Sequence, residues 1–365
     1  MVQCSVCNTT SGYISQELGV CLRCIRERPE DALPRAMRAH RKSRIAFGLP
    51  ERPPKDPDGL PCKVCVNECR IHENGIGYCG LRKNEGGRIR GVSSERGKLL
   101  WYHDPLPTNC VGDWVCPGGT GAGYPKYAYC QGPELGYKNL AVFFHACSFN
   151  CLYCQNWHFR KETLKPYTRS VDELVADVDK KTSCICYFGG DPVPQTPFLL
   201  KASRLALEKK KGRILRICWE TNGSMNKHIL DRMMELALKS GGCIKFDLKA
   251  WNEDLHIALT GVTNKRTIEN FARVGRKIMQ RPVPPLLIAN TLLVPGYIDE
   301  DEIRGIARFI ASINPDIPYS LLAFYPHFYM SDLPQTQRVM ADRCLAIARE
   351  EGLKNVRIGN IHLLV

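Results

Sequence analysis

The sequence predicts an α/β fold, a partial (β/α)6 barrel preceded by cysteine-rich metal-binding modules. From about residue 140, short apolar runs alternate with charged amphipathic segments, whereas the first 135 residues carry cysteine pairs, a Pro-rich stretch and a Gly-rich tract. Alternating strand-like and helix-like segments are typical of parallel βα units. A chain of 365 residues with 44% hydrophobic content can form one catalytic domain of about 200 to 250 residues with smaller appendages.

We expect four parts along the chain. Residues 1–30 form a zinc-ribbon-like module, residues 31–59 a basic helix and a Pro-rich linker, residues 60–135 a cysteine-rich module and a Gly-rich loop, and residues 136–365 the barrel. From residue 101 to the barrel the sequence reads as a loop. A flat doubly wound sheet is the alternative to the barrel, and in either arrangement functional side chains lie at the carboxyl ends of the strands.

Six candidate strands lie between residues 139 and 326. They read NLAVFFHAC, SCICYFGG, RILRICWETNG, CIKFDLKA, PLLIANTLLVPG and YSLLAFYP. Among the helices between them, Ser170 and Glu173 predict a capping box, and Pro334 opens a helix that runs to about Glu351. The residues at or just after strand ends should converge. They are Cys147, Gly189, Gly190, Asn222, Lys249, Gly296 and His327.

Three cysteines that follow the first candidate strand have a distinctive spacing. Cys147, Cys151 and Cys154 form C-x3-C-x2-C in "HACSFNCLYCQNW". Thiolate sulfur is the usual ligand of iron–sulfur clusters, and three cysteines can hold three irons of a 4Fe–4S cube while the fourth iron stays open to a small molecule. A structural zinc site would need four ligands, with His158 or a distant cysteine as the fourth.

This spacing, directly after the first strand of a βα domain, resembles the signature of radical S-adenosylmethionine (radical SAM) enzymes. The resemblance implies a [4Fe–4S] cluster whose open iron is chelated by the methionine part of SAM. It also implies a 5′-deoxyadenosyl radical that abstracts a substrate hydrogen, and an electron donor such as ferredoxin or flavodoxin.

Further motifs carry the same resemblance. "YFGGDP" is similar to the family's Gly-Gly-Glu-Pro motif, in which Gly189 and Gly190 let the methionine amino group approach the backbone closely. Asp191 stands in the acidic position, and its shorter side chain shifts the expected contact toward backbone carbonyls. "WETNG", "FDLKAWNEDLHIALTG", "LLVPGY" and "FYPH" resemble pyruvate formate-lyase activating enzymes. That resemblance implies contacts of SAM with Asn222 (ribose), Asp247 and Lys249 (carboxylate and ribose) and His327 (adenosine).

Two further cysteine sets precede the barrel. Cys62, Cys65, Cys69 and Cys79 can close a zinc or iron site or hold a small cluster. Their segment resembles the N-terminal segment of activating-enzyme-like radical SAM proteins, including those associated with AMMECR and Memo proteins. The other set comprises Cys4, Cys7, Cys21 and Cys24. Its spacing is that of a zinc ribbon, and we predict a structural and partner-binding role for it.

The other cysteines have no clear pattern. Those flanking the Gly-rich tract are either a second cluster site or dispersed loop cysteines, and they are Cys110, Cys116 and Cys130. Those in apolar runs or a helix read as buried small hydrophobes, and they are Cys184, Cys186, Cys218, Cys243 and Cys344. "DLHIALTG" lacks the glycine that a cobalamin motif requires at Leu259, and His256 is expected to bond locally.

The overall charge and the hydropathy limit the partners. The net charge of +14 suits an acidic protein surface or nucleic acid, but no RNA-binding motif is present, so a nucleic-acid partner is open but disfavoured. No run of about 18 apolar residues and no signal pattern occur in the sequence. We therefore expect a cytoplasmic protein that does not span a membrane.

These features predict a radical SAM enzyme whose substrate is a protein or peptide. The specific prediction is cobalamin-dependent C-methylation of a side chain. It rests on a loose resemblance to enzymes that act on methyl-coenzyme M reductase in methanogens. The alternatives are activation of a glycyl-radical enzyme and chemistry on a small metabolite or RNA.

Overall fold

The computed structural model describes residues 1–210 and 212–365. The strands, in chain order, are β1 (Val2–Gln3), β2 (Thr10–Ser11), β3 (Leu60–Pro61), β4 (Arg70–Ile71), β5 (Arg82–Glu85), β6 (Arg88–Gly91), β7 (Arg96–Gly97), β8 (Leu99–Pro105), β9 (Lys138–Phe144), β10 (Arg169–Ser170), β11 (Thr182–Gly189), β12 (Arg216–Thr221), β13 (Ile244–Asp247), β14 (Leu287–Leu293), β15 (Tyr319–Ala323) and β16 (Val356–Gly359). The α-helices are α1 (Leu22–Glu27), α2 (Pro29–Ile45), α3 (Pro117–Thr120), α4 (Arg160–Thr163), α5 (Val171–Ala176), α6 (Thr196–Lys209), α7 (Lys227–Ser240), α8 (Glu253–Thr260), α9 (Lys265–Gly275), α10 (Glu300–Ile313) and α11 (Arg338–Glu350).

One large sheet organises the chain. Its strand order is β16-β15-β14-β13-β12-β11-β9-β8, and the other strands pair into short ribbons. All neighbours from β9 to β16 run parallel, while β8 pairs antiparallel with β9 at the edge. Side chains of β11 through β16 line a common cavity, so the sheet curls into the partial barrel that the sequence predicts.

The six predicted strands are confirmed as β9, β11, β12, β13, β14 and β15, and the barrel gains a strand at each edge. β8 lies in a segment that the sequence led us to expect as a loop, since LLWYHDP mixes polar and apolar residues and most of its side chains are exposed. β16 was missed because its sequence, VRIG, has only two apolar residues with a charged one between them, and its two middle residues are partly exposed. Edge strands are half solvated, so their sequences carry a weaker hydrophobic pattern than central strands.

Two helix starts show how local hydrogen bonds set the boundaries. The predicted capping box is confirmed, with the Ser170 hydroxyl accepting from the Glu173 amide and the Glu173 carboxylate accepting in return. The last helix begins at Arg338 and not at Pro334. Thr336 explains the difference, because its hydroxyl donates to the Leu293 carbonyl and accepts from the Phe324 amide, which ties this segment to the sheet.

The segment between β8 and β9, residues 106–137, closes the lower end of the barrel, and we call it the plug loop. Trp114 donates through Nε1 to the hydroxyl of Ser320 on β15 at 3.1 Å. Arg216 on β12 forms a buried ion pair with Glu134 at 2.6 Å. These bonds fix the plug loop against the inner face of the sheet. Among the described residues, no helix is both long and apolar enough to cross a membrane.

The N-terminal helices pack on the outside of the barrel. The buried face of α2 carries Ala32, Ala36 and Ala39, and this helix packs against α8. The small alanines allow close approach of the two helices. α2 is therefore part of the barrel's outer layer, which its basic sequence alone does not reveal.

Candidate functional site

The barrel opens into one cavity of about 320 Å³ at the carboxyl ends of its strands. Of the ten residues predicted to hold the cluster and SAM, nine line it, namely Cys147, Cys151, Cys154, Gly189, Gly190, Asp191, Asn222, Asp247 and Lys249. The tenth, His327, lies in the turn after β15 beside Tyr325, with 5.2 Å between the ring centroids, and it is not among the lining residues. Its contact with adenosine stays a prediction.

The three cysteines follow the fully buried end of β9 in a loop that α8 holds in place. The amides of Asn150 and Leu152 donate to the carbonyls of Thr260 and Leu259 at 2.8 and 3.1 Å. Burial raises the pKa of Cys151 to about 11 and that of Cys147 well above its ordinary value. Both thiols are therefore protonated until a metal displaces their protons.

The spacing of these thiols fits a cluster better than a single ion. Their three sulfur atoms do not all lie within 4.8 Å of one another, whereas those of the N-terminal set do. Each thiolate of a 4Fe–4S cube binds a different iron, so its ligands stand farther apart than those of one zinc ion. The donor set and the adjoining cavity fit a [4Fe–4S] cluster with an open iron.

The two glycines at the end of β11, Gly189 and Gly190, are required by backbone packing. A Cβ on Gly190 would lie 2.4 Å from the carbonyl oxygen of Ala146, and one on Gly189 would lie 2.8 Å from the amide nitrogen of Phe144. The amides of Gly190 and Asp191 donate to the carbonyls of Phe144 and Ala146 at 2.9 and 2.8 Å. The motif thus attaches the end of β11 to the start of the cysteine loop.

The carboxylate of Asp191 is already occupied by the protein. It accepts from the amides of Val193 and Asn222, each at 2.7 Å, and it contacts the hydroxyl of Thr221. Burial raises the pKa of Asp191 to about 7, although the two amides oppose the rise. The side chain joins two strand ends, in keeping with the expectation that backbone carbonyls are what this motif offers to a ligand.

Asn222 is similarly engaged. Its side-chain nitrogen Nδ2 donates to the hydroxyl of Ser148 at 2.8 Å, and its side-chain oxygen accepts from the backbone amide of Ser224. Ser148 lies between two cysteines of the cluster motif. Asn222 therefore braces the cysteine loop, and its predicted ribose contact would compete with these bonds.

Asp247 and Lys249 form the polar wall opposite the cysteines. Lys249 Nζ lies 3.1 Å from the Asp247 carboxylate, whose other oxygen accepts from Asn290. Burial by itself would lower the pKa of Lys249, but the nearby Asp247 and Cys151 raise it well above its ordinary value. Lys249 is thus a fixed cation at the cavity wall, suited to bind a carboxylate.

Several lining residues escaped the sequence reading. They are Asn109, Cys110, Glu220, Asn290, Arg357 and Asn360, together with apolar neighbours. Glu220 lies in the recognised WETNG motif two residues before Asn222, so strand alternation could have placed it on the same face. Cys110 comes from the plug loop, and no sequence signal places that loop inside the barrel.

The segment with the second cysteine set is attached beside the cluster loop. The Val66 amide donates to the Ser224 carbonyl at 2.9 Å, and the Asn67 side chain donates to the Ser148 carbonyl at 2.6 Å. Burial raises the pKa of Cys65, and the nearby thiols of Cys79, Cys62 and Cys69 raise it further. These four sulfurs are neighbours, but among the described residues they do not reach the mutual 4.8 Å spacing of single-ion ligands.

The N-terminal set does have that spacing. The sulfurs of Cys4, Cys7, Cys21 and Cys24 all lie within 4.8 Å of one another, and the pairs Cys4–Cys24 and Cys7–Cys21 are each 3.8 Å apart. Zn–S bonds of about 2.3 Å in tetrahedral geometry give sulfur separations of about 3.8 Å. Hydrogen bonds with Thr9 lower the pKa of Cys7 to about 5, which favours the thiolate that zinc binds. The arrangement fits a structural zinc ion.

Comparison with known proteins agrees with this geometry. Residues 141–310 match the model of the Radical SAM superfamily. An uncharacterized protein of Methanocaldococcus jannaschii is 25% identical over 84% of this chain and 83% of its own length. A putative glycyl-radical enzyme activating enzyme of the same organism is 27% identical over 57% of this chain and 76% of its own. The pyruvate formate-lyase 1-activating enzyme of Escherichia coli K12 is 27% identical over 47% of this chain and 66% of its own length.

The fold, the three-cysteine loop and the family match together define the class. Residues 141–310 of the chain form a radical SAM domain.

Proposed function

We propose that this enzyme abstracts a hydrogen atom from one residue of a protein or peptide. The observation that carries the proposal is the size and position of the cavity. About 320 Å³ is at the small end of the range for sites that hold drug-sized ligands, so the cluster and SAM together would occupy most of it. Only a single substrate residue would then fit beside the cosubstrate.

The residues divide the work within the cavity. Cys147, Cys151 and Cys154 would hold three irons of the cluster, which when bound supplies the electron that cleaves SAM. The turn after β11 offers backbone groups to the methionine amino group, and Lys249 provides the cation for its carboxylate. The plug loop closes the cavity from below, and water is thereby kept from that side.

The plug loop also supports a macromolecular substrate. Because Cys110 and neighbouring residues of this loop form the floor of the cavity, the substrate residue enters from the open mouth. Aromatic rings stand near the cluster loop, with Trp157 stacked on Phe328 at 5.5 Å between centroids. A polypeptide segment could lie across such a surface while one residue reaches inward.

Methylation of a protein carbon, the specific reaction predicted from the sequence, would need a methyl donor in addition to the radical. A cobalamin is several times larger than SAM and would have to bind outside the cavity. Activation of a glycyl-radical enzyme is a second candidate. The activating enzymes among the relatives favour it, and it needs only one SAM and an exposed glycine.

A single labelling experiment tests the proposal and separates its two forms. The reconstituted, reduced enzyme is incubated with deuteromethyl SAM and candidate polypeptides, and products are analysed by mass spectrometry and EPR. Methylation predicts 5′-deoxyadenosine, S-adenosylhomocysteine and one labelled methyl on carbon. Activation predicts 5′-deoxyadenosine with a glycyl radical signal and no S-adenosylhomocysteine. If polypeptides neither stimulate 5′-deoxyadenosine formation nor change, while a small metabolite or an RNA does both, the proposal is wrong.

A further inference from the structure

A second group of cysteines lies inside the barrel below the cavity. Cys186 on β11 is in register with Cys218 on β12, and parallel neighbours in register point to the same face of a sheet. The Trp219 amide donates to the carbonyl of Cys243 at 2.9 Å, so a third thiol lies beside Cys218, directly before β13. Cys184 stands two residues before Cys186, on the same face. Four thiols thus cover one part of the inner wall.

The plug loop brings two more cysteines to this wall. Cys110 lies opposite Lys245 of β13, whose Nζ is 3.0 Å from the Cys110 sulfur and 3.3 Å from the Cys186 sulfur. Cys116 lies two residues before Gly118, at which a Cβ would be 3.4 Å from the guanidinium of Arg216, and Arg216 stands two residues before Cys218 on β12. Both loop cysteines are partly buried, and Cys110 also lines the cavity above.

The third loop cysteine does not belong to this group. The thiol of Cys130 lies within hydrogen-bonding distance of the carbonyls of Gly132 and Pro133, in its own loop. The sequence offered Cys110, Cys116 and Cys130 together as a possible cluster site, and the structure instead joins the first two with cysteines of the strands.

A buried cation lies against the sulfurs of this group. The side chain of Lys245 is 3% exposed, and its ammonium has three neighbours, the Glu220 carboxylate at 2.7 Å and the two sulfurs. An ammonium directed at two sulfurs would stabilise their thiolates once a metal has displaced the thiol protons. Thiolates in a buried site are the ligands of soft metals and of iron–sulfur clusters.

The spacing separates this group from a site for one ion. Among the described residues, only the N-terminal set brings three or more ligand atoms within 4.8 Å of one another. The internal thiols are distributed over neighbouring strands, which stand about 4.8 Å apart, and over the loop that faces them. Ligands that surround several irons span a wider space than ligands of a single zinc.

We propose that the barrel holds an iron–sulfur cluster below the SAM cavity, with Cys110 and Cys116 of the plug loop and Cys186 and Cys218 of the sheet as its ligands. Lys245 donates hydrogen bonds to this centre, and such donors tune the electronic properties of a cluster. Because Cys110 also lines the SAM cavity, the two centres share a wall. The inference does not depend on the substrate of the enzyme.

The test compares cluster content in full-length chains reconstituted anaerobically. The background variant carries Cys147→Ala, Cys151→Ala and Cys154→Ala, and therefore lacks the SAM-binding cluster. Adding Cys116→Ser and Cys218→Ser should remove a further two to four irons and as many acid-labile sulfides per chain, with loss of the corresponding EPR signal after reduction. Any cluster at Cys62–Cys79 contributes equally to both chains and cancels in the difference.

The matched control is Cys344→Ser in the same background. Cys344 is buried, as Cys218 is, but it lies on α11 outside the sheet, so iron and sulfide should be unchanged. Equal iron and sulfide with and without the two serine substitutions would overturn the proposal, as would loss of iron without loss of sulfide, which would mean a single-ion site.

A second measurement covers failure of the serine variant to fold. Cys110 and Cys116 of the unsubstituted chain are alkylated before and after reconstitution and quantified by mass spectrometry. Both should lose reactivity on reconstitution, while Cys130 of the same loop should not. Equal labelling of Cys110 and Cys116 in the two states would refute the internal cluster.

Discussion

At the scale of single residues, the site depends on how closely two backbones pass. The glycines of the YFGGDP motif leave no space for a side chain between the end of β11 and the cysteine loop. Asp191 and Asn222 then connect this contact to β12 through amide hydrogen bonds. The motif shapes the loop that carries the cluster ligands, in addition to any contact with SAM.

We therefore predict that Gly190→Ala displaces the cysteine loop. The new Cβ would lie 2.4 Å from the Ala146 carbonyl oxygen, and relief of such overpacking costs about 1 to 3 kcal/mol. Iron bound after reconstitution should fall at least severalfold, as measured by iron and sulfide analysis. Gly132→Ala is the control, because a Cβ there meets nothing within 4 Å. Equal iron in both variants would contradict this account of the motif.

The three cluster ligands permit a simpler prediction. Replacing Cys154 by Ala should abolish reductive cleavage of SAM to 5′-deoxyadenosine, because two thiolates do not hold the cluster with its open iron in place. Cys130→Ala is the matched control, since Cys130 lies in the plug loop away from the cavity lining. Liquid chromatography of the nucleoside products measures the result, and full cleavage by Cys154→Ala would contradict the assignment of the ligands.

What the sequence revealed at this scale followed from local spacing. Cys147, Cys151 and Cys154 are only seven positions apart, so the loop that holds them could be recognised without the fold. The role of Asp191 could not, because it depends on the amide of Asn222, which is 31 residues away. Cys110 and Lys245 are 135 residues apart, and only the path of the plug loop brings them together.

At the scale of elements, α2 holds the cluster loop from outside the barrel. The side-chain nitrogen of Asn150 donates to the hydroxyl of Ser43 at 2.7 Å and to His40 Nδ1 at 3.0 Å. His40 Nε2 donates in turn to the carbonyl of Ala258 at 3.0 Å. Composition correctly predicted a basic helix, but the residues that matter for the site are its few buried polar ones.

This arrangement makes the contact of α2 sensitive to acid. Burial, together with the nearby Arg44, lowers the pKa of His40 to about 4. The folded chain keeps His40 neutral while the unfolded chain binds a proton below pH 6.5, so stability is lost as pH falls from about 6.5 toward 4. One such group removes about 1 kcal/mol between pH 7 and 5.5.

Urea unfolding of the wild type and of His40→Gln at pH 7 and 5.5 measures this contribution. The pKa of His256 is likewise lowered to about 4, and this group causes a similar loss of unfolding free energy. Of the loss that the two histidines cause in the wild type between pH 7 and 5.5, His40→Gln should therefore retain about half. If both proteins lose the same free energy of unfolding over this range, His40 is not neutral and buried as the structure indicates.

At the scale of the whole molecule, the barrel was predictable and its closure was not. Six central strands are buried on both faces and read as apolar runs, so their order and parallel direction follow from the sequence. The plug loop contains Gly, Pro and polar residues without periodicity. Its place inside the barrel rests on long-range contacts such as the buried pair of Arg216 and Glu134, which no local pattern encodes.

The N-terminal zinc-ribbon-like module is also joined to the barrel more closely than a partner-binding arm would require. Arg26 of α1 bonds both oxygens of Asp299, at 2.8 and 2.6 Å, and the buried carboxylate of Glu302, at 2.8 Å. The hydroxyl of Tyr297 donates to the Val20 carbonyl at 3.0 Å and accepts from the Ser15 amide at the same distance. These contacts connect the module to the start of α10.

We therefore predict that zinc stabilises the barrel itself. Zinc binding by four thiolates drives folding of the module, and only the folded module can present Arg26 and Val20 to the barrel. Stripping zinc from the chain should lower the midpoint of a single thermal transition by at least about 5 °C, because each kcal/mol shifts the midpoint of a large domain by about 2 to 4 °C. Differential scanning calorimetry of iron-free chains with and without zinc makes the comparison.

Arg26→Met serves as a second variant, in which zinc still binds but stabilises the barrel less because the ion pairs with Asp299 and Glu302 are lost. Two separate transitions, of which only the smaller responds to zinc, would instead mark the module as an independent arm.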